Sequence, residues 1–258
     1  MKEPKEFNFV LGNGRCGTNI LAKILDECGA KFGSFDTTQK PSGDYWTQSE
    51  KNRIGGYMED PKIGNAMNYL KKYYELRRTL PFVPVFFFAF LRKKGVRKFN
   101  SAVNDGRVWV LHNSVLLYLD DIRELANIKP RVIGVIRHPV EQMGSFYTSF
   151  GSYSREHEAS DIYKRYFNYN MRLISHVDKY SGTIVSWDDI NNFDNDNWAK
   201  SINKQFKEFK VEKLLEARKK VIDPTRSRNK GKTETYYLPT EIEKFWHFLL
   251  GKVKGYEK

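Results

Sequence analysis

The chain has 258 residues, 40% hydrophobic and 15% aromatic, which is enough to build a buried core and excludes wholesale disorder. Its net charge of +13 favours anionic partners such as phosphates, acidic glycans, nucleic acid or membrane headgroups. The charge is concentrated: residues 62–98 carry ten Lys/Arg against one acid, Glu75, and residues 204–232 carry eleven against four. The apolar run at 7–11 is too short for a signal-peptide core. Residues 81–91 contain two prolines and about half the residues that a membrane span needs. Cys16 and Cys28 alone make no disulfide framework. A cytoplasmic protein without a transmembrane segment is expected.

In chain order, residues 7–11 read as a buried strand, being an apolar run without alternation. A glycine-rich turn follows, and then a helix in which Ile20, Leu21, Ile24, Leu25 and Cys28 recur at helical spacing. Residues 79–100 are too densely apolar for a simple amphipathic helix, and the phenylalanines from Phe82 to Phe90 favour core packing. Residues 108–111, 132–136 and 183–187 repeat the pattern of the first strand. Pro139 suits the first position of a helix that carries Val140, Met143 and Tyr147. Repeated strand–turn–helix units imply an α/β protein with a central parallel β-sheet flanked by helices. No repeat or linker interrupts the chain, so one domain over residues 1–258 is expected, with 76–100 as a candidate acceptor-side insertion. Ligands of such sheets bind at the carboxyl ends of the strands.

Two motifs fall at such ends. The first runs from Gly12 through Asn13, Gly14, Arg15, Cys16, Gly17, Thr18 and Asn19. Gly12 and Gly17 have the separation of the glycines in a nucleotide-binding P-loop, whose backbone amides wrap a phosphate at a helix N-terminus. An NTPase carries Lys after the second glycine; here the residue is Thr18, and the cation is Arg15, inside the loop. The second motif is Arg137-His138-Pro139 at the end of a strand, with Ser145 eight residues after the arginine. A guanidinium fork and a helix-borne hydroxyl suit phosphate oxygens. Two anion sites on successive strand–helix turns fit a nucleotide phosphorylated at both its 5′ and 3′ positions. His138, beside Pro139 at the helix N-cap, is read as structural.

Arg15-Cys16-Gly17-Thr18 resembles the 5′-phosphosulfate loop of the sulfotransferases that use 3′-phosphoadenosine 5′-phosphosulfate (PAPS), whose usual form is Lys/Arg-Ser-Gly-Thr. Arg137, Pro139 and Ser145 resemble the same family's 3′-phosphate motif. Residues 55–61, 108–112, 184–189 and 222–228 are fainter echoes. The resemblance implies a P-loop-type nucleotide-binding fold and transfer of a sulfuryl group from PAPS to a hydroxyl or amine of a carbohydrate, lipid or small metabolite. It puts Arg15 on the catalytic cation and Arg226 and Arg228 on a late loop closing over the 3′-phosphate. No metal ion is implied.

The acceptor needs a general base, and the sequence offers His112, Glu59 and the neighbouring Asp60. The basic aromatic segment 62–98 is expected to border the acceptor entrance and to favour anionic or amphipathic acceptors, with no nucleic-acid partner. The alternative readings are a P-loop kinase or NTPase, and a basic module that binds nucleic acid or membranes.

Overall fold

The computed structural model of the chain describes residues 3–32, 60–150, 159–222 and 238–257. Four strands form an all-parallel sheet in the order β2-β1-β3-β4: β1 (Lys5–Gly12), β2 (Trp109–Leu111), β3 (Ile128–Ile136) and β4 (Thr183–Ser186). The register pairs Phe9 of β1 with Val110 of β2 and with Val132 of β3, and Gly134 of β3 with Ile184 of β4. The apolar runs become strands because both faces of the sheet are covered. Alternate residues serve opposite layers: Phe7, Phe9 and Leu11 pack on one side, and Val10 on the other.

One layer holds α1 (Thr18–Glu27), α8 (Asn197–Gln205) and α9 (Val211–Val221). Leu21, Ile24 and Leu25 of α1, expected from their spacing, are fully buried there against Val10, Leu111 and Ile133. The other layer holds α2 (Pro61–Thr79), α3 (Phe86–Ala102), α4 (Val115–Ala126), α6 (Ala159–Lys179) and α10 (Thr240–Glu257). The helices α5 (Pro139–Phe150) and α7 (Trp187–Asn191) follow β3 and β4 directly. The strand read at residues 183–187 stops at Ser186, whose hydroxyl accepts from the Asp188 amide at 3.1 Å and caps α7.

The dense segment 79–100 divides between two fates. Leu91, Val96 and Phe99 of α3 are buried in the core. Gly95 lets α3 cross α2 closely: a Cβ there would lie 2.9 Å from Leu70 Cγ and 3.1 Å from the Ala66 carbonyl oxygen. Phe82, Phe86, Phe87 and Phe90, expected to pack the core, are instead exposed, because they lie beyond that crossing or on the outer face of α3.

The connections position the site. The chain leaves β1 into α1 on one face, whereas from β3 it proceeds through α5 to α6 on the opposite face. Neighbouring parallel strands whose successors depart to opposite faces leave a crevice at their carboxyl ends. The loops at 13–17 and 137–138 border that crevice.

Candidate functional site

The turn after β1 is shaped by two residues in the left-handed region, Arg15 with φ 69° and Gly17 with φ 101°. Gly17 occupies the N-cap position of α1 and supplies no side chain to its first-turn amides. A Cβ at Gly12 would collide with Cys16 Sγ and come within 2.7 Å of the Val135 carbonyl oxygen. At Gly17 it would come within 2.5 Å of the Trp187 ring. Both glycines are therefore required by close approach, and Gly17 by its backbone conformation as well. The side chains of Asn13, Cys16 and Thr18 are buried, so these three offer a ligand chiefly backbone, while Gly14, Arg15 and Asn19 are partly exposed. Burial pushes the Cys16 thiol up to about 12, which makes it an inert packing residue.

The two sequence motifs meet. Arg15 Nε donates to Ser145 Oγ at 3.2 Å, although the residues stand 130 positions apart. Arg137 Nη1 donates to the Arg15 carbonyl oxygen at 3.3 Å, and Arg137 Nε to Glu141 Oε2 at 3.1 Å. The hydroxyl that the sequence paired with Arg137 is thus bound by the loop arginine. Arg137 also lies 5.7 Å from the centre of the Trp187 ring, and its own carbonyl accepts from the Tyr166 hydroxyl at 3.0 Å. Gln142 Nε2 ties α5 to the loop by donating to the Gly14 carbonyl at 2.5 Å. Asn13 Oδ1 and Gln142 Oε1 are buried without a hydrogen-bond partner among the described residues, leaving acceptor capacity at the floor of the crevice.

Asp188, in the first turn of α7 two residues past β4, belongs to this electrostatic cluster. Burial, followed by the nearby Glu141, pushes its carboxyl up to about 6, while Arg137 pulls in the other direction. A carboxyl that titrates near neutrality beside an arginine is equipped for proton transfer. In the sequence, residues 184–189 read only as a family echo. The available signal was the position of Asp188 directly after a buried strand, on the ligand side of a parallel sheet. Trp187, Glu141 and Gln142 carry no motif of their own in the sequence; their roles follow from contacts with Arg137, Gly17 and Gly14 that only the tertiary structure makes.

Beside the loop, α5 and α6 border an open-mouthed cavity of about 170 Å³ lined by Asn13, Gln142, Met143, Tyr163, Arg165 and Tyr166. It is smaller than the roughly 300–1,000 Å³ of drug-sized ligand sites and has room for a ring or a small functional group.

His112 follows β2, on the ligand side as expected, but its ring is oriented by local structure. Its Nδ1 accepts from the Ser114 amide at 3.2 Å, so in the neutral ring the proton is carried by Nε2. Nε2 faces α2, 2.9 Å from where a Cβ on Gly64 would stand. That tautomer makes Nε2 a donor. Asp60 is committed to the scaffold: it caps α2 by accepting from the Lys62 amide at 2.7 Å and pairs with buried Arg107 at 2.7 Å. His138 packs edge-on against Trp246 of α10, with its carbonyl accepting from the Gln142 amide, as a structural residue would. Glu59, Arg226 and Arg228 lie outside the described residues. Among the described residues, no group of three or more His, Cys, Asp or Glu side chains is arranged to hold a metal ion. No family model, curated protein or solved structure matches this chain.

Proposed function

We propose that the protein is a sulfotransferase that moves a sulfuryl group from PAPS to a hydroxyl or amine acceptor, using a P-loop-type site at the β1/β3 crevice. The observation that carries this reading is the convergence of Arg15, Arg137 and Ser145 where two neighbouring strands end, through contacts of 3.2 and 3.3 Å. Two fixed cations and a hydroxyl suit a ligand with separated phosphate groups. Gly17 leaves the amides at the start of α1 without a side-chain cap, and a helix N-terminus of this kind favours an anion.

The donor supplies an activated sulfuryl group on a phosphate leaving group. The acceptor oxygen or nitrogen bonds to sulfur as the bond from sulfur to the phosphate oxygen breaks, and the acceptor's proton passes to a base. Arg15 stabilises the charge that grows on the departing oxygen, and the loop fixes the in-line geometry. Arg137 must release Glu141 to engage the second phosphate. Of the basic groups, Asp188 combines proximity to Arg137 with a proton affinity near neutrality. Glu59 remains a second candidate base, and His112, with Nε2 as donor, suits stabilisation of a leaving group better than proton removal.

The test is ligand-dependent melting. Adenosine 3′,5′-bisphosphate is expected to raise Tm more than ATP with magnesium does. Arg137→Ala should weaken the bisphosphate by about 1.5–3 kcal/mol through loss of charge-assisted hydrogen bonds. A larger response to ATP would favour the kinase or NTPase reading, and an unchanged affinity in Arg137→Ala would end the assignment. A screen with labelled donor then identifies the acceptor.

A further inference from the structure

The hairpin of α2 and α3 ends in an apolar surface that nothing among the described residues covers. Phe82 is 98% exposed, Phe86 70% and Phe90 61%, with Leu80, Val85 and Phe87 exposed beside them. Scattered apolar residues are ordinary on a surface, but six contiguous ones on a projecting tip are not. The tip projects because the helices cross at Gly95 and Leu70, about nine residues from its end, which at 1.5 Å per residue is ~14 Å. Its turn is ordered by backbone bonds from Val83 to Leu80 and from Phe87 to Pro84, each 3.1 Å.

The arrangement of charge identifies what covers it. At 100° per residue, Phe86, Phe87, Phe90, Lys93, Lys94 and Arg97 share the outer face of α3, opposite buried Leu91, Gly95 and Phe99. Aromatic rings occupy the end of this face and cations follow one to two turns behind them. On α2, Arg77 and Arg78 stand in the last turn, beside the rings of the tip. Residues 76–100 contain seven Lys/Arg and no acid. Arg92 is committed to Asp121 and Glu124 of α4, anchoring the hairpin's base. Arg78, Lys93 and Arg97 have no carboxylate partner among the described residues. A protein partner for such a tip would need a pocket for the rings inside a ring of acids. A bilayer with anionic lipids offers both at fixed depth: acyl chains for the rings and, some ångströms above them, phosphates for the cations.

We propose that the α2–α3 tip is a peripheral membrane anchor that inserts Phe82, Phe86, Phe87 and Phe90 into the interface of an anionic phospholipid bilayer. The inserted part is shallow: among the described residues no helix is long and apolar enough to cross a membrane. The anchor is independent of the sulfuryl-transfer reading. It lies at the far end of α2 from His112, since Gly64 beside that ring and Leu80 at the tip are sixteen residues apart, or ~24 Å along the axis.

The experiment uses the full chain and sedimentation with vesicles of phosphatidylcholine and phosphatidylglycerol, against phosphatidylcholine alone. Binding to the anionic vesicles should be stronger by about tenfold or more. Lys93→Glu/Arg97→Glu should remove that preference, and Phe82→Ser/Phe86→Ser should weaken binding about tenfold or more with Tm unchanged, because these rings touch little of the fold. In Phe86→Trp, the emission of the introduced indole should move to shorter wavelength on the anionic vesicles. The proposal is overturned if anionic vesicles are not preferred. It also fails if the serine variant binds as the parent does, or if the Phe86→Trp emission stays at its aqueous wavelength while the protein is bound, since either marks adsorption by charge alone. A concentration-dependent dimer that the serine variant dissolves, with no vesicle binding, would assign the tip to a second copy of the chain instead.

Discussion

Replacing Asp188 by Asn removes one negative charge from the crevice while keeping the size of the side chain and the cap that Ser186 makes to its amide. In the folded protein the carboxyl is pushed from 3.8 up to about 6, first by burial and then by Glu141, against the pull of Arg137. A carboxyl whose proton affinity rises on folding binds more protons folded than unfolded. Asp188 therefore costs stability as pH climbs from 3.8 towards about 6, and above that the cost is complete. Each tenfold change in proton affinity is worth about 1.4 kcal/mol, which sets a ceiling of about 3 kcal/mol. The residue is partly exposed, and screening by solvent reduces the expected cost to about 1–2 kcal/mol. Asp188→Asn should accordingly melt about 2–6 °C higher than the parent at pH 7.5. The difference should vanish near pH 4, where the parent's carboxyl is protonated in the folded state. Thermal unfolding followed by circular dichroism at the two pH values reads both quantities. A variant that melts lower at pH 7.5 would refute the reasoning, because it would make the Asp188 carboxylate a stabilising partner of Arg137. If Asp188 is the acceptor's base, the same variant should also lose sulfuryl transfer while retaining affinity for adenosine 3′,5′-bisphosphate.

Gly17→Ala forces a side chain into a φ of 101° and against the Trp187 ring, so it should cost about 2–4 kcal/mol and lower nucleotide affinity; an unchanged Tm would show that the loop is not held as described. Arg107→Met leaves Asp60 buried without its cation and should cost about 3–5 kcal/mol in denaturant unfolding, a loss that a small effect would contradict.

The sequence by itself determined the features that local pattern encodes. Runs such as 7–11 and 132–136 read as strands buried on both faces, and Gly12 to Thr18 as a tight turn into a helix whose Leu21, Ile24 and Leu25 face inward, and the fold has them so. Arg15 and Arg137 were legible as a pair because both follow such strands, and parallel strands deliver their carboxyl ends to one edge. Tertiary structure decided the rest, because it depends on which distant groups share a volume. Arg15 reaches Ser145 only because β1 and β3 are neighbours. Asp60 became a buried cap when Arg107 folded over it, and Asp188 gained its high proton affinity from burial beside Glu141. The phenylalanines from Phe82 to Phe90 read as core by composition. Gly95, by fixing where α2 and α3 cross, left Phe82, Phe86, Phe87 and Phe90 outside, since an apolar side chain is buried only where the fold supplies a partner surface.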